Sequence, residues 1–300
     1  MNHPRIQLDS QLRELRRRID ARLDELVPDR PGSDPVVQSM RYSLLAPGKR
    51  LRPVMTMLAA AAFGGRDEKA LDPGCAIEMV HAASLILDDM PSMDDAATRR
   101  GRPSNHRLFG EDVATLSAFA LLNKAYAVVA QTEDLSSDAR IDLVVQLTGA
   151  VGEKGIIAGQ MEDLRSDRRT TKASEVEWMH QRKTSALFVA AVEIGARVAG
   201  VTEDRLEPIR LFADNFGLSF QALDDLIDQD STPADAGKDV RKDVDKATFV
   251  SALGSERARS EAERFATAAA RALDPVGPAG APLAGLAQTL LDSARGSGSN

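Results

Sequence analysis

Apolar residues recur at intervals of three and four along almost the whole chain, and this periodicity restricts the fold more than any other feature. Leu12, Leu15, Ile19, Leu23 and Leu26 form one stripe of a first helix that Pro28 ends. Further apolar stretches run over residues 35–45, 53–63, 74–87, 113–131, 140–162, 173–198, 204–228 and 256–273. Residues that favour pleated sheet seldom cluster or alternate with period two, and aromatics make up only 4%. The breaks carry turn chemistry: Pro47-Gly48, Gly64-Gly65, Asp72-Pro73-Gly74, Gly101-Arg102-Pro103 and Thr232-Pro233. Ser174 followed by Glu177 reads as a capping box. No low-complexity linker divides the chain and no fixed-period repeat is present. The expectation is an all-α fold, one large helical domain over residues 1–294. Residues 274–282, rich in proline and glycine, read as a loop, and residues 295–300 as a disordered tail.

Composition excludes several classes. With 43% hydrophobic and 28% charged residues, the 300-residue chain can build a core, which rules out disorder throughout. The single cysteine, Cys75, excludes an internal disulfide framework and a cysteine-based zinc site, and it fits a reducing compartment. No apolar run approaches the ~18 residues of a membrane helix; the best, 113–122, is stopped by Lys124. The first twenty residues alternate in charge and lack an apolar signal core. A net charge of −7 argues against general nucleic-acid binding. A cytoplasmic protein with no membrane span and no nucleic-acid partner is expected.

Two acidic clusters carry the chemistry. The first, Asp88-Asp89-Met90-Pro91-Ser92-Met93-Asp94-Asp95, follows an apolar helix and puts negative charge at the helix end whose dipole is already negative. Residues six apart point about 240° apart on a straight helix, at ~100° per residue. Asp88 and Asp94 can therefore serve one set of ions only if the backbone bends between them, and Pro91 predicts such a bend. The second cluster is Asp224-Asp225-Leu226-Ile227-Asp228, in which Asp224 and Asp228 stack on one helix face and call for a positive partner. Aspartates without cysteine suit a hard cation such as magnesium, which bridges carboxylates to substrate phosphates. The implied ligand is a diphosphate. Cations to hold one stand nearby: Arg99 and Arg100 after the first cluster, Lys238, Lys242 and Lys246 after the second, the knot Gly48-Lys49-Arg50-Leu51-Arg52-Pro53, and Lys183-Thr184.

These residues together resemble a family. The run from His81 through Ala83, Ser84, Asp88, Asp89, Asp94 and Asp95 to Arg99-Arg100-Gly101-Arg102-Pro103 is similar to the first aspartate-rich motif of all-trans isoprenyl diphosphate synthases. Phe220-Gln221-Ala222-Leu223-Asp224-Asp225-Leu226-Ile227-Asp228 resembles the second. The lysine-arginine knot, Gly159-Gln160-Met161-Glu162-Asp163-Leu164, Lys183-Thr184, and Gly237-Lys238 with Lys246 match the remaining blocks in order, over residues 36–254. Two extra residues in the first motif are like those of bacterial farnesyl and geranylgeranyl diphosphate synthases, and Ala83-Ser84 is most like the carotenoid-type geranylgeranyl enzymes. The chain departs at Pro47, where many relatives have a second glycine.

The resemblance implies a helical bundle of the isoprenoid synthase type, its central cavity lined by two aspartate-rich helix ends. It implies a homodimeric prenyltransferase that joins isopentenyl diphosphate to dimethylallyl, geranyl or farnesyl diphosphate and yields geranylgeranyl diphosphate. By analogy Asp88, Asp94 and Asp224, with Asp89, Asp225 and Asp228 nearby, hold three magnesium ions, for which manganese can substitute. Arg99, Lys183, Thr184, Gln221, Lys238 and Lys246 would contact the allylic diphosphate, and Lys49, Arg52, His81 and Arg100 that of isopentenyl diphosphate. Ala83 and Ser84 would set product length, a small residue leaving depth for another five-carbon unit. A farnesyl diphosphate synthase is the nearest alternative. A terpene cyclase would need only one diphosphate site, and a non-catalytic partner subunit usually loses one aspartate cluster. A di-iron bundle is suggested by Glu78-x-x-His81 and Glu177-x-x-His180 but leaves both clusters unexplained.

Overall fold

The expected stripes become buried helix faces. A computed structural model describes residues 3–230 and 246–296, and the fold is 77% helical. α1 (His3–Leu26) buries Leu12, Leu15, Ile19 and Leu23 and stops just before Pro28. α2 (Pro35–Leu44) opens with proline in its first turn, and the Asp34 carboxylate accepts the Val36 N–H at 2.8 Å. α3 (Leu51–Ala62) and α4 (Leu71–Asp88) are apolar on nearly every face, as helices enclosed on all sides must be. The chain continues through α5 (Asn105–Phe109), α6 (Glu111–Ala130), α7 (Ser137–Val151), α8 (Ile156–Arg165), α9 (Ala173–His180), α10 (Ala186–Val198), α11 (Glu207–Asp230), α12 (Phe249–Leu253), α13 (Ser255–Ala272) and α14 (Ala281–Gly296).

α3, α4 and α10 form the inner layer. α1, α2, α6 and α7 pack around one side, and α11, α13 and α14 close the other. Where α10 meets α11, the rings of Phe188, Phe216 and Phe212 follow one another at 5.2 and 5.8 Å between centroids. A smaller apolar cluster of Val176, Met179, Leu218, Leu226, Phe249 and Phe265 joins α9, α11, α12 and α13.

The structure departs from the sequence reading in six places. Residues 140–162 are two helices, because the glycines between Val151 and Ile156 break the run. The cap of α9 begins earlier than Ser174: the Lys172 N–H donates to the Glu175 carboxylate at 2.7 Å. Residues 274–280 form a tight 3₁₀ turn kinked at Gly277, not an open loop, and α14 runs on through residues 295 and 296. Two short strands, β1 (Thr98–Arg99) and β2 (Arg102–Pro103), pair antiparallel. Finally, segments 67–88 and 111–130 are long and apolar enough to cross a membrane by length and composition. They pack against each other within the bundle; the first is mostly buried there, whereas the second keeps one face, with Leu116 and Phe119, exposed.

The turn before α3 decides where the lysine-arginine knot points. Arg50 adopts a left-handed conformation at φ 48° and is buried. Its guanidinium donates to Asp20 at 2.8 Å, Glu78 at 2.9 Å and the Ala46 carbonyl at 2.9 Å, tying α1, α3 and α4 together. Burial works against the charge, but Glu78 and Asp20 outweigh it and hold the group protonated. With Arg50 committed to these partners, Lys49 stays exposed and the Arg52 guanidinium lies against the Phe188 ring. Glu78→Ala leaves a buried guanidinium short of a partner and should lower the unfolding free energy by about 3 kcal/mol in urea titrations. A loss under about 1 kcal/mol would mean that Asp20 alone satisfies Arg50.

Candidate active site

α4 ends at Asp88, and the chain then folds back on itself. The Asp94 N–H donates to the Asp88 carbonyl at 2.9 Å and the Ala96 N–H to the Asp89 carbonyl at 3.1 Å, while Asp95 takes a left-handed conformation at φ 45°. This is the bend that the spacing of the first cluster demands. It brings Asp88 and Asp94 beside Asp163 of α8, with one carboxylate oxygen from each within 4.8 Å of the others. Gln160, one turn earlier on α8, donates its amide to Asp88 at 2.7 Å.

α8 reaches this position because Gly159 lies flat against the main chain of residue 183; a β-carbon there would stand 2.7 Å from the Lys183 Cα. The segment it touches, Gln181–Ser185, is a π-helical turn between α9 and α10. Such turns insert one extra residue into a helix and re-aim its side chains. Here Lys183 Nζ lies 2.6 Å from Asp163 and 3.4 Å from Asp88. Lys246 arrives from beyond α11 and places its Nζ 2.6 Å from Asp94 and 3.2 Å from Asp163. Two ammonium groups thus sit among three carboxylates.

The charge states follow from this arrangement. Burial would raise the Asp163 carboxyl, but Lys183 and Lys246 override it and hold the group below its ordinary value. Asp94 is raised, by burial and by the Asp88 charge, with Lys246 opposing. Lys183 is raised despite burial, because Asp88 and Asp163 favour its charged form. Oxygen donors at this spacing, with no sulfur or nitrogen, fit a hard divalent cation. Among the described residues the group contains no histidine. Glu78 is committed to Arg50, and His180 lies in the apolar cluster, so the two E-x-x-H pairs do not build a di-iron centre.

The second aspartate cluster occupies the last turns of α11, across the π turn from the first. Thr184 donates to the Gln221 side chain at 3.0 Å. Asp224 and Asp228, three and seven residues after Gln221, share that face of the helix and are half-buried. The neighbouring aspartate of each cluster behaves differently. Asp89 is buried, with both oxygens accepting from Arg99 at 2.7 and 2.9 Å. Asp225 is buried, accepting from Gln221 at 3.0 Å and from the Phe249 N–H at 2.8 Å. Neither belongs to the trio of Asp88, Asp94 and Asp163; the resemblance implied Asp88, Asp94 and Asp224 as holders of the ions, with Asp89, Asp225 and Asp228 nearby. A rotation of ~100° between consecutive helical residues accounts for the split.

The basic knot builds a separate pocket of positive charge. The Arg52 guanidinium lies 4.1 Å from the Phe188 ring centre, and Lys49 Nζ 5.7 Å from that of Phe220. The Arg52 Nε is buried without a hydrogen-bond partner, a donor left for an incoming acceptor. Burial lowers Arg52 to about 10, still cationic at neutral pH. Burial and the charges of Arg52, Arg100, Arg99 and Arg50 push His81 well below the usual histidine range, so the imidazole is neutral. Arg100 comes from the β1–β2 turn, where Arg100 and Gly101 have φ 53° and 73°, and it donates to the Pro47 carbonyl at 2.8 Å. Pro47 therefore keeps a positioning acceptor for Arg100. Ala83 is fully buried, and Ser84 donates to the His81 carbonyl at 2.9 Å. Lys238 and Lys242 lie outside the described residues.

Sequence reasoning quoted Asp163 within a family block but gave it no role. The sequence offers only an acid four residues after a glycine; its burial is visible in the structure alone. Residues 34–273 match the polyprenyl synthetase family. The chain is 43% identical over 238 residues to a geranylgeranyl diphosphate synthase of Pantoea ananas, covering 79% of this chain and 78% of that one. Chloroplastic plant relatives matched at 39 to 42% identity are longer, and the chain spans 66 to 77% of their length. Its fold superposes on an FPP/GFPP synthase from Zymomonas mobilis with TM-score 0.84 at 33% identity, over 95% of this chain and 99% of that one. It superposes on a Helicobacter pylori geranyltransferase, complexed with magnesium and isoprenyl diphosphate, with TM-score 0.82 at 28% identity, over 95% and 96%.

Gly159→Ala should push the π turn away from α8. The expected effect is a loss of about 1–3 kcal/mol in stability, measured by denaturant titration. Full retention of stability would show that the close approach is not required.

Proposed function

The chain is a member of the polyprenyl synthetase family and hence a prenyltransferase, and on that premise we propose that it joins isopentenyl diphosphate to an allylic diphosphate to give geranylgeranyl diphosphate. One observation carries the reading: a trio of carboxylates threaded by two lysines lies beside a distinct cationic pocket around Arg52 and His81. Two diphosphates require two such sites, whereas a cyclase requires one.

In this reading Asp88, Asp94, Asp224 and Asp228 hold magnesium, three ions in all, with Asp163 completing the first group. When bound, the metal supplies charge that favours departure of the diphosphate. The side chains do the rest. Lys183 and Lys246 turn from the carboxylates to the phosphate oxygens of the allylic substrate, joined by Arg99, Thr184 and Gln221. Arg52, Lys49, Arg100 and the neutral His81 fix the isopentenyl diphosphate, with His81 able to donate one hydrogen bond without adding charge. The allylic C–O bond breaks with its electron pair leaving on the diphosphate. The isopentenyl double bond attacks the resulting carbon cation, and a proton passes from the adduct to the departed diphosphate. No enzymic base is demanded, and cations aimed at the developing charge lower the barrier selectively.

In this reading Ala83, buried on α4 five residues before Asp88, sets the product length. Its single methyl leaves depth for a longer product. A second copy of the chain completes the assembly in this reading. α6, α7 and α8 adjoin and expose Leu116, Phe119, Ile141, Val145, Ile157 and Met161, an apolar surface of the kind that a homodimer covers. A cytoplasmic setting belongs to the same proposal; the buried Cys75 needs no oxidising compartment.

Incubation with isopentenyl diphosphate, magnesium and each allylic primer in turn should give a twenty-carbon diphosphate by mass spectrometry. Failure to consume isopentenyl diphosphate would refute the reading. Ala83→Tyr should shift the product to fifteen carbons, and an unchanged profile would remove Ala83 from length control. Phe119→Asp should convert a dimer to monomer in light scattering; an undisturbed dimer would place the interface elsewhere.

A further inference from the structure

The two Asp-Asp pairs divide their labour in the same way. In the first, Asp88 belongs to the carboxylate trio while Asp89 is buried and grips Arg99 through both oxygens. In the second, Asp225 is buried and both its oxygens are engaged. Its partners are informative. Thr184 Oγ1 donates to Gln221 Oε1 at 3.0 Å, Gln221 Nε2 donates to Asp225 Oδ1 at 3.0 Å, and the Phe249 N–H donates to Asp225 Oδ2 at 2.8 Å. The chain of bonds runs from the π turn, through α11, to the first residue of α12.

Each end of this chain adjoins a lysine of the site. Thr184 follows Lys183, and Phe249 lies three residues after Lys246. Both lysines meet on Asp163, at 2.6 and 3.2 Å. We propose that Asp225 is a positioning residue rather than a metal ligand: it fastens the start of α12 to α11 and thereby sets Lys246 in register with Lys183. This deepens the functional reading above and rests on it for the role of Lys246.

Other contacts at the latch agree with an anchoring role. The ring of His180 packs on that of Phe249 at 5.3 Å, and its Nε2 stands 3.7 Å from Asp225 Oδ2, adding a third element, α9, to the contacts around the carboxylate. Thr248 caps α12 through its hydroxyl, which accepts the Ser251 N–H at 3.0 Å, so the element that Asp225 holds is itself ordered. The Ala247 N–H donates more weakly to Ser166 at 3.4 Å, leaving the bond to Phe249 as the shorter main-chain tie near Lys246. Both oxygens of Asp225 thus already accept protein donors, one from a side chain and one from the main chain, as an anchor between two helices requires.

The test uses Asp225→Ala, Asp225→Asn and Asp224→Asn in the full chain. Asp225→Ala should cut turnover more than tenfold while the magnesium midpoint stays within twofold of the parent. In a Lys246→Ala background it should cause no further loss, because both changes remove the same function. Asp225→Asn keeps one carbonyl oxygen for the Phe249 N–H and should recover most of the lost turnover. Hydrogen exchange over residues 247–253, read without substrate or metal, should speed more than tenfold in Asp225→Ala and little in Asp225→Asn. This arm reports the latch even if the product is not a prenyl diphosphate, so the two readings fail separately. A tenfold rise in the magnesium midpoint matching that of Asp224→Asn, losses that multiply with Lys246→Ala, or unchanged exchange would each overturn the assignment.

Discussion

Three carboxylates held within 4.8 Å of one another are the constraint on which the site depends. Each charged pair at that distance repels by roughly 3 kcal/mol at an effective dielectric of about 20. Three such pairs amount to a large part of the 5–15 kcal/mol by which a typical domain is stable. Lys183 and Lys246 offset this repulsion, and Asp163 is the point where they converge. The compensation comes from mobile side chains rather than fixed dipoles. Ammonium groups on long stems can give up the carboxylates when a stronger cation arrives, and remain close enough to meet its anionic cargo.

Much of the architecture follows from delivering these five side chains to one place. α4 contributes Asp88 only because it ends there, and Asp94 only because the chain reverses through backbone bonds at 2.9 and 3.1 Å. α8 contributes Asp163 because glycine lets it touch the π turn, and α11 makes the corresponding approach through Gly217, where a β-carbon would stand 2.7 Å from the Ser185 Cα. The π turn is thus clasped between two helices at residues without side chains. Asp214 adds a polar hold, its carbonyl accepting from Ser185 at 3.1 Å and its carboxylate from Gln181 at 3.3 Å. An irregular helical turn persists here because its surroundings leave no room for relaxation.

What the sequence disclosed, and what it withheld, follows from the range of the interactions involved. The stripe Leu12, Leu15, Ile19, Leu23 was readable because burial of one helix face is a local, periodic requirement. The bend after Asp88 was readable because six-residue spacing and Pro91 contradict a straight helix. Asp163 was opaque, since its function depends on lysines 20 and 83 residues away. The resemblance ranks Asp88, Asp94 and Asp224 ahead of Asp89, Asp225 and Asp228, but the residue letters alone give no reason for that order. Neighbours on a helix point ~100° apart, and tertiary contacts alone decide which one meets the cavity. The π turn left no composition signal, because its cause is the packing of residues 159 and 217 against it.

The two substrate pockets of the proposed reaction have opposite electrostatic character, and this bears on how they fill. Around Arg52 and His81 the acting carboxylate is Glu78, which already accepts from Arg50. A diphosphate entering there meets excess positive charge and an unpartnered Arg52 Nε, so it needs no metal to be held. The pocket at Asp88, Asp94 and Asp163 is acidic at its floor. A bare diphosphate would be repelled there, whereas one accompanied by divalent ions is attracted. In the proposed reaction metal dependence would distinguish the two diphosphates by site as well as by their allylic or non-allylic chemistry. The same asymmetry would favour ionisation at the acidic pocket, because the charge that assists a departing diphosphate would gather where the carboxylates collect the ions. In the proposed reaction the isopentenyl end, whose C–O bond is not allylic, would be held by guanidinium groups without metal and act as the nucleophile.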